Sequence, residues 1–324
     1  MASPVLYCRS DQMFLLGQEI GKYQILQTLG SGGFGTVYLV KDTWIDKKFA
    51  IKVPHRQGVD FSELLREPRL LAALDHKNIV RIVTAEKADD YFFIVMEFIE
   101  GETLEAILTR DKVVELNRAL DFSRQICEGV EHAHRQGVLH RDLRPGNVLV
   151  TDSGVVKIAD FGTSRFLEIA DHASTIIGSP PYMAPEQFQG RAVFASDVYS
   201  IGVIMYEMMT GSLPYFSANP RQLEKMAASG RLVPPRERNR ALSRETSEII
   251  EKCLAPDVTD RYQSAGELLD DLGTVSEIDY RGSRLSDIRK RLKAREKSGS
   301  RFCWHCRKPL HHRAEVCPFC SERQ

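Results

Sequence analysis

Leu139-His140-Arg141-Asp142-Leu143-Arg144-Pro145-Gly146-Asn147-Val148-Leu149-Val150, then Thr151-Asp152-Ser153-Gly154, then Val155-Val156-Lys157-Ile158-Ala159-Asp160-Phe161-Gly162, is the stretch on which the fold turns. Val148 to Val150 and Val155 to Ile158 read as two short strands, with Thr151 to Gly154 as the turn between them. A hairpin brings its outer ends together, so Asn147 and Asp160 are expected to be neighbours. An amide oxygen and a carboxylate are hard ligands that suit Mg²⁺, which keeps several waters and takes its remaining ligands from phosphates. Asp142 is then the acid left to orient and deprotonate a nucleophile. These are the parts that phosphoryl transfer needs.

The segment resembles the catalytic loop and the metal-binding Asp-Phe-Gly of the eukaryotic-type Ser/Thr protein kinases. The resemblance spans roughly Tyr23 to Leu272, and its motifs fall in the family's order. It implies an α+β, bilobal fold, with a small β-rich N-lobe and a larger helical C-lobe. The expected organisation is an N-terminal extension over 1–22, a kinase domain over 23–272, a basic linker over 273–301 and a zinc-ribbon-like module over 302–324. Residues 1 to about 20 carry no clear period and read as loosely packed or unpacked.

Upstream lies Gly30-Ser31-Gly32-Gly33-Phe34-Gly35. Dinucleotide-binding units share this spacing but need a helix next. Here Thr36-Val37-Tyr38-Leu39-Val40 follows, β-branched and aromatic, hence a strand. Gly30, Gly32, Gly33 and Gly35 therefore read as a flap whose backbone N–H groups can approach phosphates with no Cβ in the way. Lys52, in the apolar run Phe49 to Val53, needs a carboxylate partner if buried. By resemblance that partner is Glu67, on a helix from about Phe61 to Leu74. Pro68 directly after it disfavours the α region at Glu67, so Glu63 is the second candidate.

Tyr91 to Ile99 reads as an apolar strand. The resemblance places Met96 at the border of an adenine pocket, the backbone of Glu97 and Ile99 on the adenine edge, and Leu29, Val37, Ala50 and Leu149 around the ring. Leu116 to Arg135 has the period of an amphipathic helix, with Leu120, Ile126 and Val130 on one side. His134 near its end reads as structural, beneath the catalytic loop. Glu186, closing Met183-Ala184-Pro185-Glu186, implies a buried partnership with Arg261. Asp197 opens an almost wholly apolar helix to Met209 and is expected to cap loop backbone.

The implied activity is transfer of the ATP γ-phosphate to protein Ser or Thr hydroxyls, with Mg²⁺ or Mn²⁺. Asp142 is the base, Lys52 meets the phosphates, Glu67 holds Lys52, Asn147 and Asp160 hold metal, and Ser179 to Glu186 form a platform for a peptide. Arg141, beside Asp142, implies regulation by phosphate on Ser174 or Thr175 in the activation loop. One departure from the family is Arg144, where a lysine is usual. Its charge suits the γ-phosphate, but its planar fork differs from a compact ammonium. The rival reading is a catalytically weak or inactive kinase-fold scaffold.

Lys+Arg and Asp+Glu balance at 44 each, apolar residues make up 43% and charged residues 27%, so no global field marks the chain for nucleic acid or membrane. No apolar run is long enough to span a bilayer and no signal peptide is legible, so a cytoplasmic protein is expected. Cys8, Cys127 and Cys253 are isolated, while Cys303-x-x-Cys306 and Cys317-x-x-Cys320 form two pairs. Four thiolates at this spacing predict one tetrahedral structural Zn²⁺. His305, His311 and His312 are available substitutes that four cysteines make unnecessary. Around twenty residues bury too little surface to fold without a metal. Tyr280 to Arg301 holds nine Lys/Arg against two Asp/Glu, and the expected partner of linker and ribbon is a protein or an anionic molecule.

Overall fold

The computed structural model describes residues 14–32, 35–55, 73–88, 91–161, 179–275, 301–310 and 314–324. The chain divides into two compact units, Met1–Leu272 and Gly273–Gln324. The first begins with a six-stranded antiparallel sheet in the order β1-β2-β3-β4-β6-β5. Its strands are β1 (Glu19–Ile20), β2 (Tyr23–Gly32), β3 (Gly35–Asp42), β4 (Lys47–Pro54), β5 (Ile82–Ala88) and β6 (Tyr91–Glu97). The period of two sends Ile25, Tyr38, Val40, Ile51, Val53, Phe93 and Val95 into one buried cluster. Two register shifts in the β2–β3 pair, between Ile25 and Gln27 and between Thr28 and Gly30, bend the glycine-bearing end of that hairpin.

Residues 14–20 depart from the expected loose extension, whose first thirteen residues lie outside the described ones. Phe14 and Ile20 belong to the same buried cluster. Phe14 packs edge-on against Tyr38 and Tyr91, its N–H donates to the Tyr38 hydroxyl at 3.2 Å, and β1 extends the sheet alongside β2. Isolated apolar residues have no period to read, yet each finds a hole in a sheet whose other face is already paired.

A three-stranded sheet, β7 (Gly101–Thr103), β8 (Val148–Thr151) and β9 (Val156–Ile158), lies at the top of a helical region. That region contains α1 (Leu104–Asp111), α2 (Leu116–Arg135), α3 (Phe194–Thr210), α4 (Pro220–Ser229) and α5 (Arg244–Cys253). Thr103 caps α1 by accepting from the Ala106 N–H, and Glu115 caps α2 by accepting from Asn117 and Arg118. The α2 stripe of Leu120, Ile126 and Val130 is buried, as the period predicts. α3 starts at Phe194, three residues before Asp197, because the Ser196 hydroxyl accepts from the Val193 N–H and extends the cap upstream. Leu74, expected as the end of a helix from about Phe61, is buried but non-helical; residues 61–72 of that expectation lie outside the described ones.

Among the described residues the second unit holds the hairpin of β10 (Arg301–Phe302) with β11 (Pro309–Leu310) and a cluster of Cys303, Leu310 and Cys317. Among the described residues no helix is long and apolar enough to cross a membrane.

Candidate active site and candidate metal centre

Two segments distant in sequence meet beneath β4. The β8–β9 register pairs Val148 with Ile158, and the Ala159 N–H donates to the Asn147 carbonyl at 2.8 Å. The outer ends of the hairpin are therefore adjacent, as its sequence predicts. Asn78, fully buried, ties this hairpin to the small lobe. Its carbonyl accepts from the Ile158 N–H and its amide nitrogen donates to the Val156 carbonyl at 2.8 Å.

Lys52 lies opposite Val37 on β3 and Ile94 on β6, in a strand where the alternation would otherwise carry an apolar side chain. It is 6% exposed, and an ammonium so placed cannot stay unpaired. Its Nζ is 2.7 Å from Asp160 Oδ1. The partner expected from sequence, Glu67, lies outside the described residues, as do Gly33, Glu63, Pro68, Ser174 and Thr175.

Asp142 sits between three donors. Its Oδ1 accepts from the Ser179 N–H at 2.9 Å, its Oδ2 accepts from Asn147 Nδ2 at 3.3 Å, and Arg144 Nε is 4.0 Å from Oδ2. Asn147 Nδ2 also donates to the Asp142 carbonyl at 2.8 Å, so the amide nitrogen is spent within the loop and the amide oxygen is the end left for a cation. Arg144 reaches Glu105 as well, Nη1 to Oε1 at 3.4 Å.

The loop is shaped from below. Asp197 is buried at the head of α3; its Oδ2 accepts from His134 Nε2 and the His140 N–H, both at 2.8 Å, and its Oδ1 from the Arg141 N–H at 2.9 Å. Burial alone would raise the Asp197 pKa, but the His134 hydrogen bond and the adjacent His140 outweigh it, and the carboxyl stays below its ordinary value. His134 is thus a support under the loop, and Asp197 a cap for its backbone. Arg141 and Asp160 both adopt positive φ, 67° and 62°, strained for residues with a Cβ and held in place by this network.

His140 escaped the sequence reading. Its Nε2 donates to the Ala159 carbonyl at 2.9 Å, its Nδ1 accepts from the Asp142 N–H at 3.3 Å, and its ring lies 4.7 Å from that of the buried Phe161. One side chain thereby locks the Asp142 loop to the Asp160 loop. Lys157 was missed too. Its Nζ meets Glu97 Oε1 at 2.6 Å, while the same oxygen accepts from the Arg81 N–H at 2.9 Å. The only signal for either residue was its place inside a motif.

The cleft above has Ala50 buried, Val37 and Leu149 half-buried and Leu29 exposed. Glu97 ends β6, and Ile99, half-buried, follows it. Gly30 and Gly32 lie on β2, and Gly35 opens β3 opposite Gly32. A Cβ on Gly35 would collide with the Val53 carbonyl, so β3 can approach β4 here only with glycine. Farther down, Arg261 grips Glu186 with both arms of its guanidinium, at 2.8 and 3.0 Å, and Ser196 Oγ donates to the same carboxylate at 2.6 Å.

In the second unit, Cys303 Sγ is 3.5 Å from Cys320 Sγ and Cys306 Sγ is 3.6 Å from Cys317 Sγ, with all four sulfurs within 4.8 Å of one another. Tetrahedral Zn–S bonds of about 2.3 Å separate sulfurs by about 3.8 Å, so the donor set fits. Two similar turns build the cluster. The Arg307 N–H returns to the Cys303 carbonyl, the Ser321 N–H to the Cys317 carbonyl, and both turns end in positive φ. Burial pushes the Cys303 thiol up, but N–H groups of Cys306 and His305 outweigh it and bring its pKa down to about 6. Gln324 Nε2 also donates to Cys303 Sγ at 3.2 Å.

With the Lys52–Asp160 contact and the Asp142–Asn147 loop in view, the comparisons agree on one family. A protein kinase domain matches residues 23–271. The chain belongs to the protein kinase family. Serine/threonine-protein kinase PrkC of Bacillus subtilis is 32% identical over 273 residues, covering 82% of this chain and 42% of its own length. Serine/threonine-protein kinase pkn2 of Myxococcus xanthus is 37% identical over 271 residues, covering 79% of this chain and 32% of its own. The crystal structure of Rad53 1-466 in complex with AMP-PNP is similar with a TM-score of 0.68 at 28% identity, over 77% of this chain and 64% of that one. The chain thus spans less than half the length of these two curated relatives. The fold is the kinase fold, a β-rich N-lobe sheet over a helical C-lobe, with the cysteine cluster as a separate small module.

Proposed function

We propose that the chain is a Ser/Thr protein kinase that uses ATP and Mg²⁺, followed by a basic linker and a zinc-held ribbon. The observation that carries this reading is the convergence of Lys52, Asp160, Asn147 and Asp142 under one glycine-rich hairpin. Asn147 and Asp160 offer the hard oxygen donors that Mg²⁺ prefers, and Lys52 brings an ammonium to the same place. Bound Mg²⁺ would neutralise charge on the phosphates. Glu97 and Ile99 would present backbone to the adenine, between Leu29, Val37 and Ala50 above and Leu149 below. Asp142, fixed by Ser179 and Asn147, would orient the acceptor hydroxyl and take its proton, while Arg144 steadies the transferred group.

Phosphate transfer from γ-labelled ATP to a generic Ser/Thr acceptor tests this, with Asp142→Asn as control. Transfer by the parent and none by the variant is the expected outcome. ATP binding without transfer in either protein would favour the scaffold reading, for which the departures at Arg144 and Pro68 are the specific support. Arg141, beside Asp142, suits an activation loop ordered by phosphate on Ser174 or Thr175. A mass spectrum of active enzyme without phosphate over 163–179 would rule that out. For the ribbon, metal analysis is expected to return about one zinc per chain.

A further inference from the structure

We propose that the C-terminal ribbon is a docking surface for single-stranded nucleic acid. Bases would stack on Trp304 and Phe319 while neighbouring cations meet the phosphates. The inference rests on the zinc reading of the four cysteines and not on kinase activity.

The first observation is charge. Residues 280–324 contain thirteen Lys/Arg against four Asp/Glu in a chain whose formal net charge is zero. The positive excess is concentrated in this short stretch, and the preceding residues carry the balancing negative excess. A local field of this sign recruits a polyanion.

The second observation concerns what the ribbon leaves uncovered. Among the described residues only Leu310 of its large aliphatic and aromatic side chains is buried, whereas Phe302 is 57% exposed, Trp304 66% and Phe319 57%. Trp304 is not a loose side chain. Its indole N–H donates to the Arg323 carbonyl at 2.8 Å, its backbone N–H to Gln324 Oε1 at 3.2 Å, and His305 packs edge-on at 5.5 Å. A ring fixed this way has little freedom left to lose on binding. The Lys308 ammonium lies 4.7 Å from the centre of the Phe319 ring, so charge and aromatic surface adjoin. Rings interleaved with cations are what single strands use without sequence preference. A bilayer interface fits less well, because tryptophan there turns its polar N–H toward the wet headgroup side. Here that N–H is already spent on the Arg323 carbonyl, while the ring stays 66% exposed.

The test uses the full, zinc-loaded chain and fluorescein-labelled 20-nucleotide single strands of DNA and of RNA, followed by anisotropy. With about four phosphate contacts, affinity is expected to fall roughly 50-fold between 50 and 200 mM salt. Trp304→Ala and Phe319→Ala, each verified for zinc content, should weaken binding about tenfold or more, and Trp304→Phe should stay near the parent. With Trp44→Phe as background, Trp304 is the remaining tryptophan and its emission should quench on binding. If an alanine variant loses zinc, that quench and the Trp304→Phe result decide. Asp142→Asn should bind like the parent, which separates this outcome from failure of the kinase reading. Absence of binding at 50 mM salt would overturn the proposal. So would equal affinity for duplex with no effect of either aromatic variant, sedimentation with phosphatidylserine vesicles but not strands, or full displacement of the strand by polyglutamate at equal charge.

Discussion

Arg144 lays its guanidinium over Gly146, where a Cβ would come within 2.6 Å of Nη1. The broad fork is accommodated by an absent side chain two residues later. Gly146→Ala should therefore push the guanidinium aside and lower kcat by about tenfold, a loss of roughly 1.4 kcal/mol of transition-state stabilisation, although no charge is removed. Steady-state rates at saturating ATP check this. Lys157 acts at a distance, because its bond to Glu97 fixes the spacing between the end of β6 and the floor strand β9. Lys157→Met is expected to raise KM for ATP several-fold with kcat nearly unchanged, the pattern of lost uniform binding. The Glu186–Arg261 pair differs from both in being structural. Burial pushes the Glu186 carboxyl up, but Arg261 and Ser196 outweigh it, and its pKa lies below the ordinary carboxylate value. The folded pKa is thus below the unfolded one. Its stabilisation is complete above the ordinary Glu range and disappears as pH falls through the depressed folded value. Breaking the pair with Glu186→Gln should cost about 3–5 kcal/mol at pH 7 by urea unfolding, with a flatter acid limb than the parent.

Among elements, the β8–β9 hairpin was legible because its two runs and turn are contiguous, and its outer residues had to meet. The helix α2 was legible because twenty residues keep one apolar stripe. The Lys52–Asp160 contact was not, since Asp160 is 108 positions away and the contact depends on how two lobes close; the expected Lys52–Glu67 pair lies outside the described residues. His140 and Lys157 were opaque for a similar reason, as each makes its bond to a segment whose position only the folded chain sets. The cysteine cluster was fully written in its spacing. On the zinc reading it also sets a sharp expectation for its own element: chelation should melt the β10–β11 hairpin, because a bound metal would hold together a core of little more than Leu310 and the sulfurs. Amide exchange over 301–324 should accelerate by orders of magnitude after dialysis against a chelator. With Mg²⁺ restored, exchange over α2 and α3 should not change.

At the scale of the whole molecule, charge is segregated along the chain. An acid-rich kinase-family unit precedes a base-rich tail, and their sum hides both. The first unit is also larger than its family signature. The kinase match opens at Tyr23, but the sheet opens at Glu19, and Phe14 is already inside its core. A gene fragment trimmed to the signature would delete β1 and leave the backbone edge of β2 bare, beside the sockets that Phe14 and Ile20 vacate. Unpaired edges of that kind recruit one another. Such a fragment should come out of the cell as sticky oligomers, and restoring nine N-terminal residues should cure it.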